Sequence, residues 1–368
     1  MSRSLALVLA GGLLSWAGCS EAQRQRPSGA GGESVGGAGV GGAGAGGAGV
    51  GGAGAGGAGE PIEAPLDEWT WVPFEGTACG NGTPAGIGIN PHAGSGDLVV
   101  IVSGGGACWT DEMCNGPSPT SVHLDDTLDA ALVAPELPPV DRSDPENTAT
   151  YAYVPYCTGD VHWGDATHDY EGGTVHHRGA SNMRAFLEAL RATRPLTERV
   201  FLIGVSAGGY GVTLHWSTAK EVFPSAEVHV LADAAPLVPP QGDRWALMNE
   251  RWAPVFPPGC VSCATEMGEL IDHLAATYPE SRHGLLTYED DGVISSYFGY
   301  GPGELAPATA SLLALHHDVH PNTKYFVSPG TDHGMLGDSI TGPGGVTVDA
   351  FVQAWLVGSP SWQSVSVP

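Results

Sequence analysis

The sequence predicts an α/β fold in which helices cover both faces of a mostly parallel sheet. Three observations predict it. Short β-branched apolar runs recur along the chain, stretches with apolar residues at helical spacing lie between them, and residues able to do chemistry follow directly on the ends of the runs. Strands of such a sheet are buried on both faces, so they read as continuous apolar segments and not as an alternation.

The first run, Asp97–Val102, ends at Gly104-Gly105-Gly106. A second strand is expected over Ala149–Val154, ahead of Pro155. Met183, Phe186, Leu187 and Leu190 recur every three or four residues and predict a helix over Asn182–Arg191, before Pro195. Arg199–Gly204 is again a buried strand, and it passes straight into Val205-Ser206-Ala207-Gly208-Gly209, with a helix expected over Val212–Lys220. Glu227–Ala232 is another strand and leads to Asp233. His283–Tyr288 and Lys324–Val327 are the later strands, and Asp349–Val357 is a final amphipathic helix. In such sheets chemistry collects at the carboxyl ends of the strands.

Gly204-Val205-Ser206-Ala207-Gly208 fits the G-x-S-x-G elbow, a sharp turn from strand to helix with Ser206 at its apex. A serine hydroxyl is a poor nucleophile at neutral pH and needs a positioned base with an acid behind it. His333 is the expected base, because it follows the last strand through a short loop and precedes Gly334. For the acid the preferred residue is Asp291, with its neighbour Asp290 second and Asp233 an outside candidate; spacing alone does not separate adjacent residues. A developing oxyanion needs backbone N–H groups, expected from Ala207, Gly105 and Gly106. Neither a GxGxxG pattern nor a P-loop lysine accompanies the glycines, so they are not read as a nucleotide site.

Trp109, Tyr156, His162 and Trp163 are candidates for binding substrate, by stacking on a sugar ring or covering an acyl group. The same residues read equally well as packing for the loop that carries Cys157. His162, His168, His176 and His177 come without an H-E-x-x-H or matching carboxylate pattern, so no metal is expected, and no cofactor is implied.

Composition divides the 368 residues into unequal parts. Of 56 glycines, 18 fall between Gly29 and Gly59, in repeats that cannot offset their ordering entropy, so residues 20–60 read as a disordered tether. Ahead of it, Arg3, the apolar Leu5–Leu14 and small residues before Cys19 read as a secretory signal over residues 1–19. Cys19 directly after Ala17-Gly18 resembles a bacterial lipobox, which implies export with a lipid anchor; plain secretion is the alternative. Residues 61–368 are left for the catalytic domain. They carry the whole net charge of −26, which excludes nucleic acid as a main partner and suits a soluble monomer. Beyond Cys19 six cysteines remain, enough for three disulfides in an exported chain; Cys108 with Cys114 is the local pair. Cys260 and Cys263 have no second such pair to complete a zinc site.

Three blocks carry a resemblance. Ser103–Trp109, Tyr153–His162 and Gly204–Gly209, with Leu231-Ala232-Asp233 after them, resemble the pectin acetylesterase and Notum family of α/β-hydrolases. The resemblance implies an α/β-hydrolase fold and a Ser-Asp-His carboxylesterase. Ser206 matches the family nucleophile, Gly105, Gly106 and Ala207 its oxyanion donors, and Asp291 and His333 its acid and base. Gly106 stands where the animal enzyme has an aromatic residue, so acyl-chain preference does not carry over. The expectation is an enzyme that removes acyl groups, acetyl first among them, from a carbohydrate or related ester. A lipase or peptidase on the same scaffold, or a non-catalytic glycan-binding protein, are the rival readings.

Overall fold

The computed structural model describes residues 51–366 apart from 53–55, 58, 95, 117–123, 125 and 145. The expected export signal, Cys19 and residues 20–50 of the tether lie outside the described residues. Among the described residues nine strands form one sheet: β1 (Gly51–Gly52), β2 (Thr70–Pro73), β3 (Gly86–Asn90), β4 (Asp97–Val102), β5 (Thr150–Val154), β8 (Arg199–Val205), β9 (Glu227–Asp233), β10 (His283–Tyr288) and β11 (Thr323–Ser328). β6 (Ala166–Tyr170) and β7 (Gly173–His177) form a separate antiparallel hairpin.

The spatial order is β1-β2-β3-β5-β4-β8-β9-β10-β11. From β5 to β11 every neighbour is parallel, while β3 runs antiparallel to both β2 and β5. This is the α/β-hydrolase arrangement of a mostly parallel sheet. After β4 the chain places β5 on one side and β8 on the other, so the order reverses between β4 and β8. A crevice opens at such a reversal, outside the carboxyl ends of the strands. The Gly104–Gly106 turn and Ser206 leave the sheet there.

The helices are α1 (Asp111–Asn115), α2 (Ala130–Val133), α3 (Gly179–Thr193), α4 (Ala207–Val222), α5 (Arg244–Trp252), α6 (Glu269–Thr277), α7 (Gly292–Phe298), α8 (Leu305–Leu312) and α9 (Val348–Val357). Strand residues alternate between two cores. Leu98, Val100, Val102, Val200 and Leu202 join one apolar cluster with Met183 and Leu187 of α3 and Val212 and Leu214 of α4. Val99, Phe201 and Ile203 join the other with Phe351, Val352 and Trp355 of α9. That division is why these strands read as unbroken apolar runs.

The expected strands over 97–102 and 283–288 have the expected ends, and the others lie within a residue or two. β2 and β3 were not legible, because β3 reads Gly-Ile-Gly-Ile-Asn and glycine is a poor strand signal. Gly86 is needed, since a Cβ there would strike the Trp71 ring and the Val72 carbonyl. The Gly/Ala segment, read as free tether through residue 60, meets the sheet at its end. Gly51–Gly52 pair with Thr70–Trp71, and the Gly56 N–H donates to the Pro73 carbonyl at 2.7 Å. A Cβ on Gly56 would stand 2.9 Å from the Phe74 ring, so the absence of a side chain is what lets the main chain lie there.

Among the described residues three disulfides form: Cys79–Cys157, Cys108–Cys114 and Cys260–Cys263. They suit an oxidising, exported setting. Among the described residues no helix is long and apolar enough to cross a membrane.

Candidate active site

Ser206 sits between β8 and α4 with φ 55° and ψ −125°, a backbone conformation that side-chain-bearing residues rarely adopt. Its neighbours make the turn possible. A Cβ on Gly204 would run into the Gly208 backbone, and one on Gly208 into the Val102 carbonyl. The strand, the turn and the helix therefore touch through main chain, and Ser206 stands at the head of a 16-residue helix. The first N–H groups of a helix lack partners within it and carry a partial positive charge. Ala207 contributes the first of them.

His333 and Asp291 meet from different loops. The wholly buried Asp291 carboxylate lies 2.8 and 3.0 Å from His333 Nδ1 and also accepts the Val293 and Ile294 N–H groups as the cap of α7. A carboxylate only accepts, so His333 Nδ1 carries the proton of this bond. The lone pair is then on Nε2, which is buried and has no hydrogen-bond partner among the described residues. That is the tautomer a general base requires.

The neighbouring acids do other work. Asp290 accepts the Gly303 and Leu305 N–H groups and so caps α8. Asp233 accepts the Met335 N–H at 2.7 Å and the Leu336 N–H at 2.8 Å, just beyond His333. Burial pushes its carboxyl up to about 6, against the lowering by those two N–H groups.

The glycine turn after β4 is pressed against the elbow. A Cβ on Gly104 would lie 2.7 Å from the Val205 carbonyl and 2.9 Å from Ser206 Cβ, and Gly106 has φ +84°. The turn is braced from behind. Cys108 N–H donates to the Gly159 carbonyl, Trp252 Nε1–H donates to the Cys108 carbonyl, and the Cys108–Cys114 disulfide closes the loop.

The pectinacetylesterase family model matches residues 72–241, from β2 past Asp233 and through both the glycine turn and the elbow. Over this region the chain is similar to the pectin acetylesterase and Notum family. Human palmitoleoyl-protein carboxylesterase NOTUM is 26% identical over 196 residues, covering 50% of this chain and 38% of that protein. The mouse protein of the same name is 26% identical over 184 residues, covering 47% and 35%. Palmitoleoyl-protein carboxylesterase notum1' of Xenopus laevis is 24% identical over 203 residues, covering 50% and 38%. The matched part is thus little more than a third of these relatives' length.

The family's aromatic block, Tyr153–His162, with Trp163 after it, faces inward. Trp163 is fully buried, donates Nε1–H to the Tyr210 carbonyl at 2.7 Å and packs edge-on against Tyr210, Trp245 and Phe256. The Tyr156 hydroxyl accepts the Val161 N–H. His162 Nε2–H donates to the Ser103 carbonyl at 3.0 Å, and His215 Nε2–H donates to the His162 carbonyl at 2.7 Å. Both rings are buried, which pushes them down to about 4 and about 3, and they stay neutral. Tyr156, His162 and Trp163 are buried, and Tyr156 Oη, His162 Nε2 and Trp163 Nε1 each bond to backbone, which favours packing over the substrate-facing reading. Trp109 is also buried, 6.1 Å from Trp252 and 6.4 Å from the half-buried Tyr297 of α7, ring centre to ring centre.

Asp160 is the hub of this block. Its buried carboxylate accepts from Thr158 Oγ1 and from the N–H groups of His162, Gly164 and Gly179. Asp160-Val161-His162 with Gly164 was the available signal: a carboxylate ahead of a tight turn.

Proposed function

We propose that this chain is a serine carboxylesterase that removes acyl groups, acetyl first among them, from a carbohydrate or related ester. Two observations support the reading: the His333–Asp291 pair, with an unengaged Nε2, and a serine held at a strained strand-to-helix turn. Ser206 Oγ attacks the ester carbonyl carbon and its proton passes to His333 Nε2. The N–H groups of Ala207, Gly105 and Gly106 stabilise the oxyanion. His333 returns the proton to the leaving alcohol, and the acyl group stays on Ser206 until water, deprotonated by the same imidazole, releases it as the acid. Asp291 holds the imidazole and favours its charged form.

The family and its carboxylesterase relatives support ester hydrolysis. The disulfides support export, with lipid attachment at Cys19 as the proposed anchor. A fluorophosphonate probe should label the wild type at Ser206, mapped by peptide mass, and Ser206→Ala should lose both labelling and hydrolysis of nitrophenyl acetate. Full turnover by Ser206→Ala would remove the reading. Nitrophenyl esters of increasing chain length then separate an acetylesterase from an enzyme for long acyl chains.

A further inference from the structure

Asp233 is tied to the main chain of Ser206 and of the loop just beyond His333, and belongs to neither the acid–base pair nor the oxyanion turn. It is the last residue of β9, and its carbonyl accepts the Ser206 N–H at 2.8 Å. Its side chain reaches the other way. One carboxylate oxygen takes both the Met335 and Leu336 N–H groups, and the left-handed Gly334 (φ +83°) supplies the turn that aims them. Consecutive N–H groups of this kind make a small anion cradle. The other oxygen is buried and unpartnered among the described residues. Among the described residues no Lys or Arg pairs with this carboxylate, and the positive charge that would favour its ionised form is the one His333 gains on protonation. A buried carboxylate without a cation is a costly way to hold a loop.

We infer that Asp233 is a positioning residue that sets the approach of His333 to Ser206 and favours the imidazolium formed when Ser206 loses its proton. The inference rests on the proposed roles of Ser206 and His333. Asp291, Tyr288, Asp332 and Asp338 are the other titratable groups around this loop, and none is altered in the variants below.

The test compares Asp233→Asn and Asp233→Ala with wild type and with Ser206→Ala, on nitrophenyl acetate, at temperatures where circular dichroism shows each variant folded. Asn keeps an acceptor for the two N–H groups but not the charge. It should lower kcat about tenfold with KM within about twofold, and shift the acid limb of the kcat profile to lower pH. Ala loses both functions, and its kcat and fluorophosphonate labelling rate should fall about 100-fold together. Wild-type kcat and an unmoved acid limb in Asp233→Asn would overturn the inference, and that variant alone suffices if Asp233→Ala does not fold. Activity in Ser206→Ala would instead overturn the assignment of the nucleophile.

Discussion

The two halves of the candidate site are built from different materials. At the ends of β4 and β8 the site is main chain: Gly104 lies against Ser206, Gly208 against Val102, and the proposed oxyanion donors are backbone N–H groups. At the ends of β10 and β11 it is side chain: Asp291 reaches His333 across 42 residues of sequence, and Asp233 reaches the same loop across 102. A site half made of backbone tolerates no added atom, because the elements already touch. A site half made of side chains tolerates a change of shape but not of charge or donor pattern.

The largest effect should come from adding atoms to the backbone half. Gly208→Val would drive its side chain into the Val102 carbonyl and should cost about 3 kcal/mol or more. Urea unfolding checks it, and a variant of wild-type stability would break the contrast. In the side-chain half Asp291→Asn should leave the fold and lower kcat by about 10³- to 10⁴-fold. Asp290→Ala, one residue away, should leave kcat within about twofold and cost about 1 kcal/mol of stability, as the loss of a helix cap does. Equal kcat losses in the two variants would show that the division between neighbours is wrong.

Acid should test the packing behind the backbone half. His162, His177 and His283 are held down at about 4, His215 at about 3 and His229 at about 2, burial being the main cause in each. In the unfolded chain they take up protons near 6.5, so the native state loses stability as pH falls below that value. Asp160 and Asp233, raised to about 6, act oppositely between about 6 and 4. With His317, which burial holds well below its ordinary value, six histidines against two aspartates leave a net uptake of about four protons on unfolding near pH 5. The urea midpoint should therefore fall steadily from pH 7.5 to 5, and a flat profile would contradict the buried neutral rings.

The smallest effect separates two disulfides. Replacing either Cys108 and Cys114 or Cys260 and Cys263 by serine opens a short loop and should cost about 2 kcal/mol in each case. Only the first pair braces the glycine turn, so only that change should lower kcat. Equal activities in the two double variants would show that the turn holds itself.

Legibility followed the same division. The elbow, the glycine turn and the strands that carry them are local patterns, readable because close approach demands glycine and burial demands unbroken apolar runs. Trp163 and Tyr156 were ambiguous for the opposite reason: an aromatic residue beside a site and one beneath it have the same composition. Only Trp163 Nε1 on the Tyr210 carbonyl separates the two cases.

The sequence by itself determined the α/β class, the strand that ends in Ser206 and the glycines around it, because each depends on residues within one turn or one strand. The tertiary structure decided which acid meets His333, what Asp233 and Asp160 hold, and which aromatic rings face inward. Those outcomes depend on where separate loops are brought by the sheet. Two adjacent aspartates have the same intrinsic chemistry, and only the direction in which the fold points each one gives it a partner.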